Sequence, residues 1–205
     1  FWGVSEDPKI IAEFIRRWIN DNKRWNSPRY ILGESYGGIR GPLLVSELRS
    51  GSITPIEVNG LLMVAPASDY QYLVFHPGNN SPHYGFLPSY AATAYYHGKI
   101  KTDKTLQEFY EDSKKFSLEV YGPALLKGTR ISVSDKKSVM KQYSEFTGLS
   151  LRFVEDFDMR VDPSSFRKEL LRDDGYSVGR LDSRYKNFDY ISGGQYPDTD
   201  VSSEG

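Results

Sequence analysis

Cysteine is missing from all 205 residues, which excludes disulfides, thiolate metal sites and a cysteine nucleophile and leaves the cellular compartment open. An excess of either charge is missing too: 26 Lys and Arg stand against 27 Asp and Glu, for a formal net charge of -1. That balance offers no basic stripe for phosphates, so nucleic acid is not an expected partner. The longest uninterrupted apolar run, residues 60–67, falls far short of the roughly 20 residues a bilayer-spanning helix needs, so no membrane partner is expected either. Histidine is scarce, at three residues, and no His-x-x-x-His spacing occurs; neither a metal nor a cofactor is called for. What is present, 39% apolar residues, suffices to bury one core.

The chain ends carry more than the averages. Phe1-Trp2-Gly3 shows neither an initiator Met nor a signal peptide and reads as a start inside a domain. From Ser192 through the polar run to Gly205 the composition is that of a loop, with no closing strand or helix, so the domain is expected to be interrupted there as well.

Between the ends, Asp7 before Pro8 has the form of an N-cap followed by a first-turn proline, and Ile10, Ile11, Phe14, Ile15, Trp18 and Ile19 follow at helical spacing. Residues 22–28 read as a loop and 29–32 as a short apolar strand entering Gly33. A second helix is predicted over 39–48, with Pro42 in its first turn, and a second strand over 58–64, continuously apolar as in a strand covered on both faces. Two parallel strands alone leave open edges and bare faces, so more sheet is expected elsewhere. The remaining pattern does not supply it. Residues 88–97, 105–121, 135–147 and 163–172 read as helices, with Ser134 and Asp162 at N-cap positions and Gly98, Gly128, Gly148 and Gly175 closing helical runs. This is the pattern of a helical layer inserted after a sheet strand. Residues 176–190 stay open between a turn and a short extended stretch at Val178-Gly179-Arg180-Leu181.

The pattern that carries chemistry is Gly33-Glu34-Ser35-Tyr36-Gly37, a Gly-x-Ser-x-Gly set between a predicted strand and a predicted helix, which is the context the motif requires. A serine on such a turn must take strained backbone angles, and Gly33 and Gly37 leave room for strand and helix to approach closely. The spacing makes Ser35 the expected nucleophile. It also places the Tyr36 backbone N–H at a helix N-terminus, where aligned peptide dipoles favour the negative oxygen that develops during acyl transfer.

Extended by one residue, Gly33-Glu34-Ser35-Tyr36-Gly37-Gly38 resembles the Gly-Glu-Ser-Tyr-(Ala/Gly)-Gly signature of the serine carboxypeptidases, peptidase family S10. Leu87-Pro88-Ser89-Tyr90-Ala91-Ala92-Thr93-Ala94, Tyr121-Gly122-Pro123-Ala124-Leu125-Leu126 and Val178-Gly179-Arg180-Leu181-Asp182-Ser183-Arg184 extend the likeness towards the bacterial branch. The resemblance implies the α/β class, as part of an α/β-hydrolase fold. Residues 1–69 would be a piece of the core with the nucleophile elbow and its glycines Gly33, Gly37 and Gly38, 70–175 a mostly helical cap insertion, and 176–205 a return segment. It implies a peptide substrate with a free C-terminus, release of C-terminal residues through an acyl-enzyme on Ser35, and export to a periplasm or the exterior. Glu34 would recognise the terminal carboxylate as half of a carboxyl pair sharing a proton, the alternative being a glutamate that only complements the helix dipole. An esterase or acyltransferase of the same fold, or an incompetent fragment, stays open beside the peptidase. No oligomeric state follows.

In α/β-hydrolases an acid and then a histidine follow the serine in chain order. His97, in the last turn of a predicted helix before Gly98, reads as a dipole partner. A base at His76 or His83, in a Pro/Gly/Asn-rich loop, contradicts the order. Asp156, Asp158, Asp182, Asp189, Asp198 and Asp200 are acids by type, and none follows a recognisable buried strand. Triad acid and base are therefore expected outside the chain, and the isolated chain is expected to be nearly inactive. The resemblance also implies an upstream Asn-Gly-Gly-Pro-Gly, which this sequence does not contain, and Gly-Asn where it has Ala65-Pro66-Ala67-Ser68. Tyr90, Tyr95, Tyr96, Phe109, Tyr110, Phe116 and Tyr121 read as packing within the helical layer. Arg167, Lys168 and Arg172 read as a solvated helix face.

Overall fold

Residues 3–51 and 53–198 are described by the computed structural model, and every absence stated below refers to them. Phe1-Trp2, the polar run beyond Asp198 and the candidate acid Asp200 lie outside the described residues. The chain divides into two units, one up to Leu73 and one from Val74 onward.

The first unit follows the expected order of helix, strand, helix, strand. Helix α1 (Asp7–Asp21) starts with Pro8 in its first turn, where a missing N–H costs nothing. Asp7 does not cap it; the N-cap position is Glu6, without a side-chain cap bond. Strand β1 (Tyr30–Glu34) leads into α2 (Gly37–Ser50), which takes in Gly37 and Gly38 and so begins two residues earlier than its apolar pattern indicates. Strand β2 (Gly60–Val64) pairs with β1 in parallel, Tyr30 opposite Gly60 and Glu34 opposite Val64. Ala12, Ile19, Leu44, Leu48 and Ile56 form the core, with Ile31 and Val58 packed against it. The alternation of β1 turns Ile31 and Gly33 towards the helices and Tyr30, Leu32 and Glu34 away from them. Covering on both faces, expected from the composition of β2, is not seen among the described residues: Leu62, Met63 and Val64 keep 48%, 47% and 47% of their surface exposed.

The second unit is mostly helical. Its helices are α3 (Ser81–Tyr96), α4 (Leu106–Phe116), α5 (Gly122–Lys127), α6 (Val133–Thr147), α7 (Leu151–Asp156) and α8 (Pro163–Glu169), with a π-helical turn over Ser117–Tyr121. Four starts have a chemical cause. Thr105 and Glu108 form a reciprocal capping box, and Ser132, Ser150 and Asp162 accept from backbone N–H groups two or three residues on. Ser132 thus displaces Ser134 as the cap of α6, because its backbone is extended and its hydroxyl reaches the Asp135 N–H at 3.0 Å. Helix α3 begins at Ser81 and runs through Pro88, seven residues ahead of the expected start; burial of Leu87, Tyr90, Ala91 and Ala94 outweighs the lost backbone bond. At the other end of α6, Gly148 takes φ 69, a left-handed conformation that suits glycine. An antiparallel hairpin of β3 (Tyr176–Val178) and β4 (Lys186–Phe188) resolves the segment left open by the sequence.

The core of this unit is aromatic. Tyr90 stacks on Phe166 with centroids 4.1 Å apart, Phe116 stacks on Tyr121, and Tyr121 meets Tyr143 at 5.1 Å. Tyr90, Phe109, Phe116 and Tyr121 are buried as packing, whereas Tyr96 is exposed. The Tyr90 hydroxyl donates to the Val161 carbonyl at 3.3 Å and that of Tyr121 to the Met159 carbonyl at 2.5 Å. Tyr143, fully buried, has a hydroxyl with no partner.

Arg167 and Lys168 correct the sequence reading, since neither lies on a solvated face. The Arg167 Nε donates to the Val178 carbonyl at 2.8 Å. Lys168, whose side chain is 1% exposed, places Nζ 2.7 Å from Asp189 and 2.5 Å from the Ile191 carbonyl. Burial pushes the Asp189 carboxyl up, but Lys168 and Asp198 outweigh it and hold the group below the usual carboxylate range. Arg172 adds bonds to the carbonyls of Ser192 and Gly194, so the three cations fasten the hairpin and the segment after it to α8 and its C-terminal end. His97 is structural as expected, with Nε2 2.7 Å from the Ser183 carbonyl.

Two outcomes follow for stability. Tyr143→Phe removes a buried hydroxyl without a partner and is expected to leave urea stability unchanged or raise it by about 1 kcal/mol, while Tyr121→Phe lowers it by about 1 kcal/mol; a marked loss in Tyr143→Phe shows that its hydroxyl is in fact bonded. His83 is 6% exposed with Nδ1 lacking a partner. Burial and the nearby Arg160 hold its imidazole below the usual range, against the Val161 carbonyl and Asp162. A depressed folded value means that the unfolded chain binds the proton more tightly. The contribution of His83 is therefore full above about pH 6.5 and is lost as the pH falls below that. His83→Phe should flatten the dependence of the urea midpoint on pH below about 6.5; an unchanged slope refutes the assignment.

Candidate functional site

β1 ends at Glu34 and α2 begins at Gly37, leaving Ser35 and Tyr36 to make the turn. Ser35 takes φ 54, a left-handed backbone in a residue with a Cβ, which costs roughly 1–2 kcal/mol. Its N–H donates to the Val64 carbonyl at 3.2 Å, continuing the strand pairing by one residue. Its carbonyl accepts twice, from Gly38 N–H at 2.9 Å and from Ala67 N–H at 2.8 Å. Ser35 itself is exposed and Tyr36 half-buried.

Two of the three elbow glycines are needed for space. A Cβ on Gly33 would lie 2.6 Å from the Gly37 carbonyl oxygen, and one on Gly38 would lie 2.5 Å from Cβ of Pro66. Nothing approaches the corresponding position on Gly37 within 4 Å. Strand and helix therefore come close through the backbone of Gly37, and helix and β2 turn come close through Gly38.

Tyr36 sits at the N-cap of the 14-residue helix α2, and its N–H meets no acceptor among the described residues. That N–H is an unpaired donor at the positive end of the helix dipole. The Tyr36 ring lies under Arg40, whose guanidinium carbon is 5.0 Å from the ring centroid and whose Nε is 2.6 Å from Asp7. Hydrogen bonding to Asp7 raises Arg40 above its usual range, against a small desolvation. Asp7 thus ties α1 to the first turn of α2. Only tertiary structure reveals that pairing, since the two residues stand 33 apart in the chain. Glu34 is exposed, and its side chain makes no hydrogen bond or ion pair among the described residues.

Sequence reasoning marked the turn after β2 only as a departure from Gly-Asn, and its contacts to the Ser35 turn escaped it. Ala65 takes φ 41, a second strained non-glycine residue, and the following Pro66 and Ala67 provide the contacts to Gly38 and Ser35. The available signal was negative, an Ala-Pro-Ala sequence where a glycine would be easier.

The remaining candidates are engaged locally. His76 Nδ1 lies 3.0 Å from the Pro77 carbonyl, His83 packs edge-on against Phe75, and His97 is held by Ser183. Asp156 pairs with Arg152, Asp158 with Arg160 and Lys136, and Asp189 with Lys168. Asp198 accepts from the Ile191 N–H. Asp182 is paired with Arg184, which lowers its carboxyl to about 2. No described aspartate is bonded to a histidine, so no acid–base pair is assembled among them.

Set beside known proteins, the chain is 32% identical to Serine carboxypeptidase-like 2 of Arabidopsis thaliana over 71 residues, 32% of this chain and 16% of that protein. Serine carboxypeptidase-like 5 of the same plant is 32% identical over 79 residues, 34% of this chain and 18% of its own length. Serine carboxypeptidase-like 3 gives 32% over 73 residues, 33% and 17%. The matches thus span less than a fifth of these relatives, and they support a serine carboxypeptidase-like family for this chain. No protein-family model matches the chain, and no solved structure matches it.

Because strain at Ser35 is backbone strain, two variants that both remove the hydroxyl should differ. Ser35→Gly is expected to be more stable than Ser35→Ala by roughly 0.5–1 kcal/mol, the relieved left-handed cost less the extra entropy of glycine. Denaturant midpoints at equal slope measure this; equal midpoints show that no strain is held at Ser35.

Proposed function

We propose that Ser35 is the nucleophile of a serine carboxypeptidase built on an α/β-hydrolase core. The observation that carries this reading is the left-handed Ser35, exposed between a parallel strand and a helix whose first free N–H belongs to Tyr36. In the proposed reaction the Ser35 Oγ attacks the carbonyl of the C-terminal peptide bond. The developing oxyanion is bound by the Tyr36 N–H, and collapse expels the terminal amino acid and leaves an acyl-enzyme for water to hydrolyse. In this reading Glu34, whose side chain is exposed, would meet the terminal carboxylate and, when protonated, donate to it.

Serine needs a base. No histidine here is paired with a carboxylate, so the reading assigns acid and base to residues outside 1–205 and expects the isolated chain to be nearly inactive. The likeness over 87–94, 121–126 and 178–184 supports the bacterial branch of the family and, with it, an exported enzyme. An esterase or acyltransferase of the same fold is the second reading, favoured by the fact that the elbow chemistry is the same for ester and amide.

A blocked dipeptide with a free terminal carboxylate, compared with a matched ester lacking one, separates the two in the full-length enzyme. The peptidase reading expects turnover of the dipeptide, a loss of about four orders of magnitude or more in kcat for Ser35→Ala, and a raised KM for Glu34→Gln. Turnover of the ester alone defeats it. In the isolated chain, efficient labelling of Ser35 by a serine-directed phosphonate would show that its base is present after all.

A further inference from the structure

We propose that Ala67 is a positioning residue for the oxyanion donor: its N–H, bound to the Ser35 carbonyl, sets the direction and the strength of the Tyr36 N–H. This deepens the reading of Ser35 as nucleophile and rests on it. The argument begins with the peptide unit between Ser35 and Tyr36, which is planar and carries the Ser35 C=O and the Tyr36 N–H on opposite sides. Whatever fixes the carbonyl therefore fixes where the N–H points. Two donors fix it, Gly38 N–H at 2.9 Å from its own helical turn and Ala67 N–H at 2.8 Å from the turn after β2. The first belongs to any helix start of this shape. The second ties the plane to a different strand.

That tie is itself held firmly. Gly38 lies so close to Pro66 that a Cβ there would stand 2.5 Å from the proline Cβ and 3.1 Å from the Ala67 nitrogen. Ala65 takes φ 41 to bring Pro66 and Ala67 into place, and Ala67 is buried. A strained non-glycine residue persists only where its surroundings over-determine it, so the contact is maintained against a local cost. Its chemical effect runs in the same direction as its geometric one. A peptide whose carbonyl accepts two hydrogen bonds is polarised, and its N–H becomes a better donor. The Tyr36 N–H has no acceptor among the described residues, and so it is free to express that gain on a developing oxyanion.

The test removes only the Ala67 N–H, in the full-length enzyme. Ala67→Pro does so genetically, and replacement of the Pro66–Ala67 amide by an ester does so without changing shape, which covers the case in which the proline variant does not fold. The expected result is a fall in kcat of about tenfold or more, below the 10²–10³ that loss of a whole oxyanion donor costs, with KM unchanged. The Tyr36 amide proton should move upfield in the NMR spectrum. Ala67→Ser, which retains the N–H, should recover most of kcat. A folded ester-substituted enzyme with wild-type kcat and an unmoved Tyr36 resonance overturns the proposal, as does a loss that falls on KM and kcat alike. Ser35→Ala keeps the two failures apart: if it retains turnover, the nucleophile reading has failed; if it is inactive while the ester-substituted enzyme is unimpaired, only the role of Ala67 has.

Discussion

The parallel pairing of β1 with β2 is the constraint from which the Ser35 site takes its shape. With Glu34 opposite Val64, both strands end at one level, and the chain leaving β2 turns directly beside the chain leaving β1. Ser35 N–H then finds the Val64 carbonyl, Ala67 N–H finds the Ser35 carbonyl, and Gly38 closes on Pro66. A slip of one residue would break all three and turn Ile31 and Gly33 away from the helices they face. The left-handed backbone at Ser35 is unfavourable by itself. It stands because contacts from two strands and one helix specify it together.

Glycine, by contrast, appears in this site less for its backbone freedom than for its lack of a side chain. Neither Gly33 nor Gly38 has a positive φ; each is required because a neighbour, the Gly37 backbone for Gly33 and the Pro66 ring for Gly38, lies within a distance that excludes a Cβ. The positive φ falls on Ser35 and Ala65, residues that do not favour it. Strain and close approach are thus divided between different residues, and the nucleophile candidate carries the strain.

In the second unit the comparable constraint is the pairing of polar groups taken out of water. Tyrosine rings fill the core, and two of the three hydroxyls at its centre find carbonyls in the stretch from Met159 to Val161, which fixes the approach to α8. On α8 itself, Arg167 and Lys168 are buried, with partners in the hairpin (the Val178 carbonyl) and in the segment after it (the Asp189 carboxylate and the Ile191 carbonyl). Removing one member of such a pair strands a charge in a dry place, at a cost of about 3–5 kcal/mol. The same cations that read as surface residues therefore hold the return of the chain to the helical layer.

What could be read without coordinates was local. Gly-x-Ser-x-Gly between an apolar strand and a helix, Asp162 before Pro163, and Gly148 and Gly175 after helical runs all act within a few residues of themselves, and each is found where expected. Errors arose wherever the partner was distant. Lys168 on a seven-residue helix has the same pattern whether water or Asp189 faces it, and Asp7 beside Pro8 resembles a cap although its carboxylate serves Arg40 in another helix. The sequence by itself determined that Ser35 stands on a strand-to-helix turn, because strand, helix and glycine spacing are written in adjacent residues. Only the tertiary structure decided what holds that turn, because Ala67 donates from the turn after another strand, a hydrogen bond that no periodicity in the chain encodes.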